Sequence, residues 1–500
     1  MKNLKYILGS VCSVGILGVC ACGQNTPSPA NDSKPTTPDT PSATTGDVKV
    51  ITTTSSRSQD LKESWLDFSS KSNMNPSTVY LLPSETYQTM DGFGVAVTGS
   101  TCYNLMRMKP EDRQAFIKET FSPTDGYGFS YVRVSIGCSD FSLSEYTCCD
   151  TPGIENFALT SEETNYVIPI LKEILAVNPN LKIMGTPWTP PRWMKVNNLQ
   201  DRQPYNSWTS GQLNPDYYKD YAQYFVKWVK AFNEAGIPIY SVTPQNEPLN
   251  RGNSASCFMG WEEEREFVKE LGPALKNAGL DVKIYAFDHN YNYDNMADQK
   301  GYPSNIYEDP EAAEHLDGAA YHNYGGDKEE LTVVHNATPG KDLVFTETSI
   351  GTWNDGRNLD KRLIDDMEQV ALGTVNRWCK GVIVWNLMLD DEKGPNRPGG
   401  CQTCYGAVDI NHDYTTLTRN SHYYIIAHMS SVVKPDAVRI GTKGFTADGL
   451  TYTAFKNTDG SYAVVLSNSQ QESMPITFDD GNHHFSTTVP ARSAVSYTWK

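Results

Sequence analysis

Positive charge is scarce in this chain: 42 Lys and Arg stand against 59 Asp and Glu, a formal net charge of −17. Phosphate backbones are bound chiefly by Lys and Arg, so nucleic acids and other polyanions are poor candidate partners and a neutral ligand is the simpler expectation. Also missing is an apolar run long enough to cross a bilayer. The best candidate, Tyr6 to Val19, falls short of the roughly 20 residues a spanning helix needs. No internal repeat with a period of about 20 to 50 residues stands out. Disorder of the whole chain is excluded as well, since 39% of its residues are hydrophobic and only 20% charged. What is present is 500 residues, enough for two or three domains, with 28 Tyr, 17 Phe and 10 Trp. Such aromatics suit stacking on sugar rings, but they suit any large core equally.

The first residues point to export. Lys2 and Lys5 precede the short apolar run, and Val19-Cys20-Ala21-Cys22 resembles a bacterial lipobox, with Cys22 the better lipid acceptor because the small Ala21 precedes it. An ordinary cleaved signal peptide is the alternative, and both readings export the protein. We expect a lipoprotein signal over residues 1–22 and placement at the outer membrane, the cell surface or the periplasm, with the membrane touched only through the lipid. Residues 23–46 are mostly Pro, Thr, Ser, Asp and Asn, a composition that buries too little apolar surface to fold and reads as a tether. Of eleven cysteines, Cys12, Cys20 and Cys22 lie in the export segment, leaving eight. Cys401 and Cys404 form a CxxC that suits a local disulfide. The adjacent Cys148 and Cys149 do not have zinc-ligand spacing, so a four-thiolate zinc site is disfavoured.

Residues 92–425 alternate short apolar strands with amphipathic helices, the pattern of a parallel α/β fold. Eight strands are predicted, beginning at Gly92, Ser130, Leu181, Ile239, Val282, Gly318, Leu343 and Gly381. A helix is predicted over Pro215–Glu234, where Tyr218, Tyr221, Phe225 and Val229 recur at three- and four-residue spacing. This is a (β/α)8 TIM barrel with insertions. Residues 426–500 read as strand, turn, strand, an antiparallel β-sandwich to which residues 47–91 can add strands.

Catalytic groups of such barrels sit at the C-terminal ends of the strands. Here those ends carry Trp188, Asn246 with Glu247, Asp288 with His289, His322 with Tyr324, Glu347, and Trp385 with Asn386. Glu247 and Glu347, exactly one strand end each, lie 100 residues apart on strands four and seven and can face each other across the mouth. Two carboxyls about 5–5.5 Å apart cleave a glycosidic bond with retention, one protonating the leaving oxygen and the other attacking the anomeric carbon. Either glutamate alone could be a structural carboxylate; both together in these positions point to the chemistry. No metal-ligand set and no Ser/Cys–His pair is apparent at the strand ends, so neither metal nor organic cofactor is expected.

The run Val242 to Pro248 (VTPQNEP), with Phe345-Thr346-Glu347-Thr348, resembles the acid/base and nucleophile motifs of glycoside hydrolase family 30, which includes glucosylceramidases and β-1,6-glucanases. Asp91 to Gly94, Arg133 to Phe141, Pro187 to Pro191, Trp385 to Leu387, Gly394 to Asn396 and Val438 to Ile440 match too, so the resemblance covers the chain from about residue 47 to its end. It implies Glu247 as general acid/base with a raised pKa, Glu347 as ionised nucleophile, and Asn246 on the sugar 2-hydroxyl. Arg133 and Tyr324 would orient Glu347 and keep it ionised. Asp140 and Trp188 would grip the sugar, Trp385 would floor the site, His322 would wall it, and Asn396 would add a polar contact. Arg133 with Asp140 could instead be a buried structural pair, and Trp385 barrel core. Where glucosylceramidases carry tryptophan between the His and Tyr of strand six, this chain has Asn323, which turns the expected substrate from ceramide glucosides towards β-1,6-glucan. A β-glucosidase or glucosylceramidase acting on small β-glucosides, and a non-catalytic surface glycan-binding protein, are the alternatives.

Overall fold

The computed structural model describes residues 45–70 and 75–500. The signal, the lipobox with Cys22 and nearly all of the tether lie outside the described residues. Eight parallel strands form the central barrel: Gly92–Val95, Tyr131–Ser135, Lys182–Thr186, Ser241–Val242, Lys283–Asn290, Gly318–His322, Asp342–Glu347 and Cys379–Val384. Each pairs with its sequence neighbour, the eighth pairs with the first, and a bridge between Ala96 and Arg133 closes the ring. All eight predicted strands are present. They were legible because a strand covered on both faces must be apolar along its length.

The barrel interior is filled by Tyr131, Met184, Tyr285, Ala320, Val344 and Ile383, all fully buried. Glycine is required where strands approach closely: a Cβ on Gly94 would lie 1.9 Å from the Tyr131 carbonyl oxygen. The helix predicted from Pro215 begins with a 3-10 turn, capped by the Asn214 side chain on the Asp216 N–H, and runs as α-helix over Tyr218–Glu234. Tyr221, Phe225 and Val229 are buried, and Phe267 of the next helix, Trp261–Asn277, packs on Tyr221 and Phe225.

The two flanks build one nine-stranded ladder. Its order is Lys62–Leu66, Val48–Thr54, Ser493–Trp499, Tyr462–Asn468, Leu450–Lys456, Val438–Gly444, Thr78–Thr89, Met474–Asp479, His484–Val489. The ladder folds over into a sandwich, because rings from its far ends meet: Phe478 lies 5.2 Å from Tyr497 and Phe485 5.1 Å from Trp499. The expected all-antiparallel pairing needs one correction. Met474–Asp479 runs parallel to Thr78–Thr89, because that N-terminal strand is inserted between strands from the C-terminal part of the chain. The expected boundary at 425/426 also needs moving, since it falls within the helix Ser421–Ser430. All ten residues of this helix are buried, and its His428 bonds Ser496 and Thr53 of the ladder.

Candidate active site

Arg133, fully buried midway along the second strand, is the hub. Its Nη1 donates to Glu347 Oε2 at 2.6 Å, and its Nη2 donates to Asn246 Oδ1 and Asp288 Oδ2, each at 2.7 Å. The guanidinium also lies 5.0 Å from the Trp188 ring and 5.5 Å from Trp385, whose own rings are 5.2 Å apart. Planar, permanently charged and five-donor, Arg can hold three acceptors from three strands at once. Asp288 additionally accepts from Thr243 and Thr346 and pairs with His322 Nε2 at 2.9 Å. Burial disfavours its charge, but Arg133 and His322 hold its carboxyl well below the usual range.

Glu247 does not stand on hydrogen-bonded strand. The ladder of its strand ends at Val242, and Pro244 has no N–H to extend it. The segment is fixed instead by neighbouring strands: Asn246 N–H donates to Pro187 O at 2.8 Å and Glu247 N–H to Asp288 O at 3.1 Å. Glu247 and Asp288 both adopt left-handed backbone, φ 44° and 60°, strain that a rigid surround must maintain. Glu347 ends its strand just past an irregularity, where the pairing with the sixth strand skips Thr346, and accepts from Tyr324 Oη at 3.0 Å. Glu247, His322 and Glu347 each place one oxygen or nitrogen within 4.8 Å of the others. This trio is also the one group among the described residues with metal-ligating geometry, but Arg133 already supplies a positive charge 2.6 Å from Glu347.

The protonation pattern departs from expectation. Burial opposes ionisation of Glu247, yet the bond from His322, the nearby His289 and the Asn250 amide hold it down to about 2. Glu347 moves the other way: burial and the Glu247 charge push it up, outweighing His322 and Arg133. His322, against burial, is lifted to about 9 by the Glu347 charge and by its bonds to Asp288 and Glu247. His322 therefore holds a proton between its carboxylate neighbours, and Glu247 is held lower than Glu347, the reverse of the expected order in which Glu247 was the raised group. The physical reason is a histidine wedged between two carboxylates, which composition and motif order do not display.

A cavity of about 270 Å³ opens above these groups, lined among others by Asp140, Glu247, Glu347, Tyr324, Trp385, Asn250, Asn253 and Trp353. Asp140 is buried, with Oδ1 lacking any partner, and burial plus the two glutamates raise it to about 8. Arg133 binds Glu347 and His322 binds Glu247 from behind, and Asn246 accepts from Arg133 without lining the cavity. Trp188 also sits behind, against Trp385, and does not line the cavity. Asn396 is not brought to the site: its amide donates to Lys393 O within its own loop. Its neighbour Arg397 matters more, because it donates to Ser139 O and Ser254 O, both at 2.8 Å, and so fixes the turn that carries Asp140. Asp288, noted at its strand end but given no role, is the other omission; its strand-end position was the available signal. The CxxC forms the Cys401–Cys404 disulfide, while Cys148 and Cys149 are buried elsewhere with free thiols.

The description "Glycosyl hydrolase family 30 TIM-barrel domain" matches residues 90–433, and "Glycosyl hydrolase family 30 beta sandwich domain" matches residues 436–497. An endo-1,6-beta-D-glucanase of Neurospora crassa is 32% identical over 438 residues, covering 83% of this chain and 86% of its own. The lysosomal acid glucosylceramidase of Mus musculus is 29% identical over 450 residues, covering 84% and 83%. Among solved structures, the endo-beta1,6-glucanase BT3312 superposes with a TM-score of 0.89 at 67% identity, covering 91% of this chain and 99% of that one. The chain belongs to glycosyl hydrolase family 30 and is a retaining glycoside hydrolase.

Proposed function

We propose that the protein is an endo-β-1,6-glucanase working by double displacement, with Glu347 as nucleophile and Glu247 as acid/base. The observation that carries this is the pair of carboxylates within 4.8 Å, one of them gripped by two donors, Arg133 and Tyr324. That separation leaves no room for the extra water of an inverting mechanism. Arg133 and Tyr324 stabilise the bare Glu347 carboxylate, and the leaving oxygen takes, through Glu247, the proton that His322 holds 3.3 Å away. Asn246 gives its carbonyl to Arg133, which leaves its amide N–H groups to donate to the sugar 2-hydroxyl. Asp140, with an unpartnered oxygen, takes sugar hydroxyls, and Trp385 forms the floor.

The β-1,6-glucan specificity is supported by the names and identities of the glucanase relatives and by Asn323 in place of tryptophan. Digestion of a β-1,6-glucan is expected to yield a ladder of β-1,6-linked oligosaccharides. Glucose as the sole early product would refute endo action, and turnover of glucosylceramide with an intact glucan would favour the glucosylceramidase reading. We further propose that the protein is an exported lipoprotein acylated at Cys22, which suits capture of a polysaccharide outside the cell. Palmitate label should enter the wild-type protein in a bacterial host and be absent from Cys22→Ala; equal labelling of the two would dismiss the anchor.

A further inference from the structure

Trp353 is 52% exposed and lines the rim of the cavity, yet its position is tightly built. Its six-membered ring lies against Gly351 so closely that a Cβ there would sit 1.9 Å from Cζ3. Gly351 belongs to a short strand, Ile350–Gly351, paired with Cys404–Tyr405, and Thr352 N–H donates to Thr403 O at 2.9 Å. The Cys401–Cys404 disulfide closes the partner loop. Among the described residues no ring and no cation stacks on this indole, in contrast to Trp188 and Trp385, which face each other and Arg133. A single exposed ring needs no explanation, but Trp353 shares this cavity with Tyr324, itself 43% exposed, so two exposed aromatic rings meet at one rim and mark a surface that something covers in use.

The cavity indicates what covers it. Its inner end is closed by the buried Asp140 and Trp385, so the sugar being cleaved lies there, beside Glu247 and Glu347. Its rim is Tyr324, Trp353, Asn250 and Asn253, so the next unit leaves past Trp353. We propose that Trp353 is the stacking surface for the glucosyl unit on the leaving-group side of the cleaved bond, held ready by Gly351 and the Cys401–Cys404 bridge. This rests on the glucanase reading. A 1,6 linkage adds a rotatable bond through the exocyclic carbon, so a sugar beyond it is poorly oriented, and a preformed aromatic platform lowers the ordering cost.

The test compares a β-1,6-glucan with β-glucosyl fluoride, which has the same cleaved sugar but no second ring. Trp353→Ala is expected to lower kcat/KM on the glucan at least about tenfold more than on the fluoride, with Trp353→Phe losing less. The double variant Cys401→Ser/Cys404→Ser should shift the same ratio in the same direction. Equal losses on both substrates, or none, overturn the subsite while the wild type still degrades glucan. A wild type that cleaves the fluoride but not the glucan overturns the glucanase reading and the subsite with it.

Discussion

Glu347→Gln is expected to lower kcat/KM on every β-glucoside by about four orders of magnitude or more, because the attacking charge is gone. The amide is isosteric, and Arg133 keeps Asp288 as a buried counter-ion at 2.7 Å, so the fold should persist. A structural role for Glu347 predicts instead lost stability with residual activity to match. The two are separated by azide: Glu347→Gly should form α-glucosyl azide from an activated β-glucoside, since azide enters from the face the carboxylate used. In the wild type, the acidic limb of kcat/KM reports protonation of Glu347. Burial and the Glu247 charge place that limb above the ordinary value of 4.5, and activity falls as pH drops through it. An acidic limb at or below 4.5 would contradict the described surroundings of Glu347.

Glu247→Ala should separate substrates by leaving group. On glucan, whose alcohol departs only when protonated, a loss of about a thousandfold or more is expected. On an aryl glucoside with an acidic phenol the first step survives, the glycosyl-enzyme accumulates, KM falls, and azide yields β-glucosyl azide. An α-product, or equal losses on both substrates, would assign Glu247 another role. The basic limb belongs to this residue and His322 together. Activity falls as pH rises and their shared proton is lost, with His322 lifted to about 9. Glu247→Ala should abolish that limb on the aryl substrate.

The same histidine shows what could and could not be read from the chain. Barrel strands were legible because each is an apolar run that stops at a polar or aromatic group, and Glu247 and Glu347 stand at two such stops. Arg133 and Tyr324 were found by motif resemblance, and they do meet Glu347. Protonation was not legible: it depends on His322 lying between Asp288 and Glu247, a relation among three strands. Nor was Trp353, whose loop carries no periodicity and whose exposure follows from a glycine two residues earlier and a disulfide some fifty residues later. Asn396 failed for a related reason, since sequence places a loop near a site without saying which of its side chains turns inward.

The pairing of Val48 with Trp499 has a consequence for biogenesis. The second strand from one edge of the nine-stranded ladder pairs with a strand about 450 residues further along the chain, so the sheet closes only after the whole barrel between them has been made. Until then, the apolar faces of Val48–Thr54 and Tyr462–Asn468 have no Ser493–Trp499 between them. Contacts this distant in the chain form slowly. A variant truncated just before Ser493 should be far more sensitive to protease than its length deficit implies.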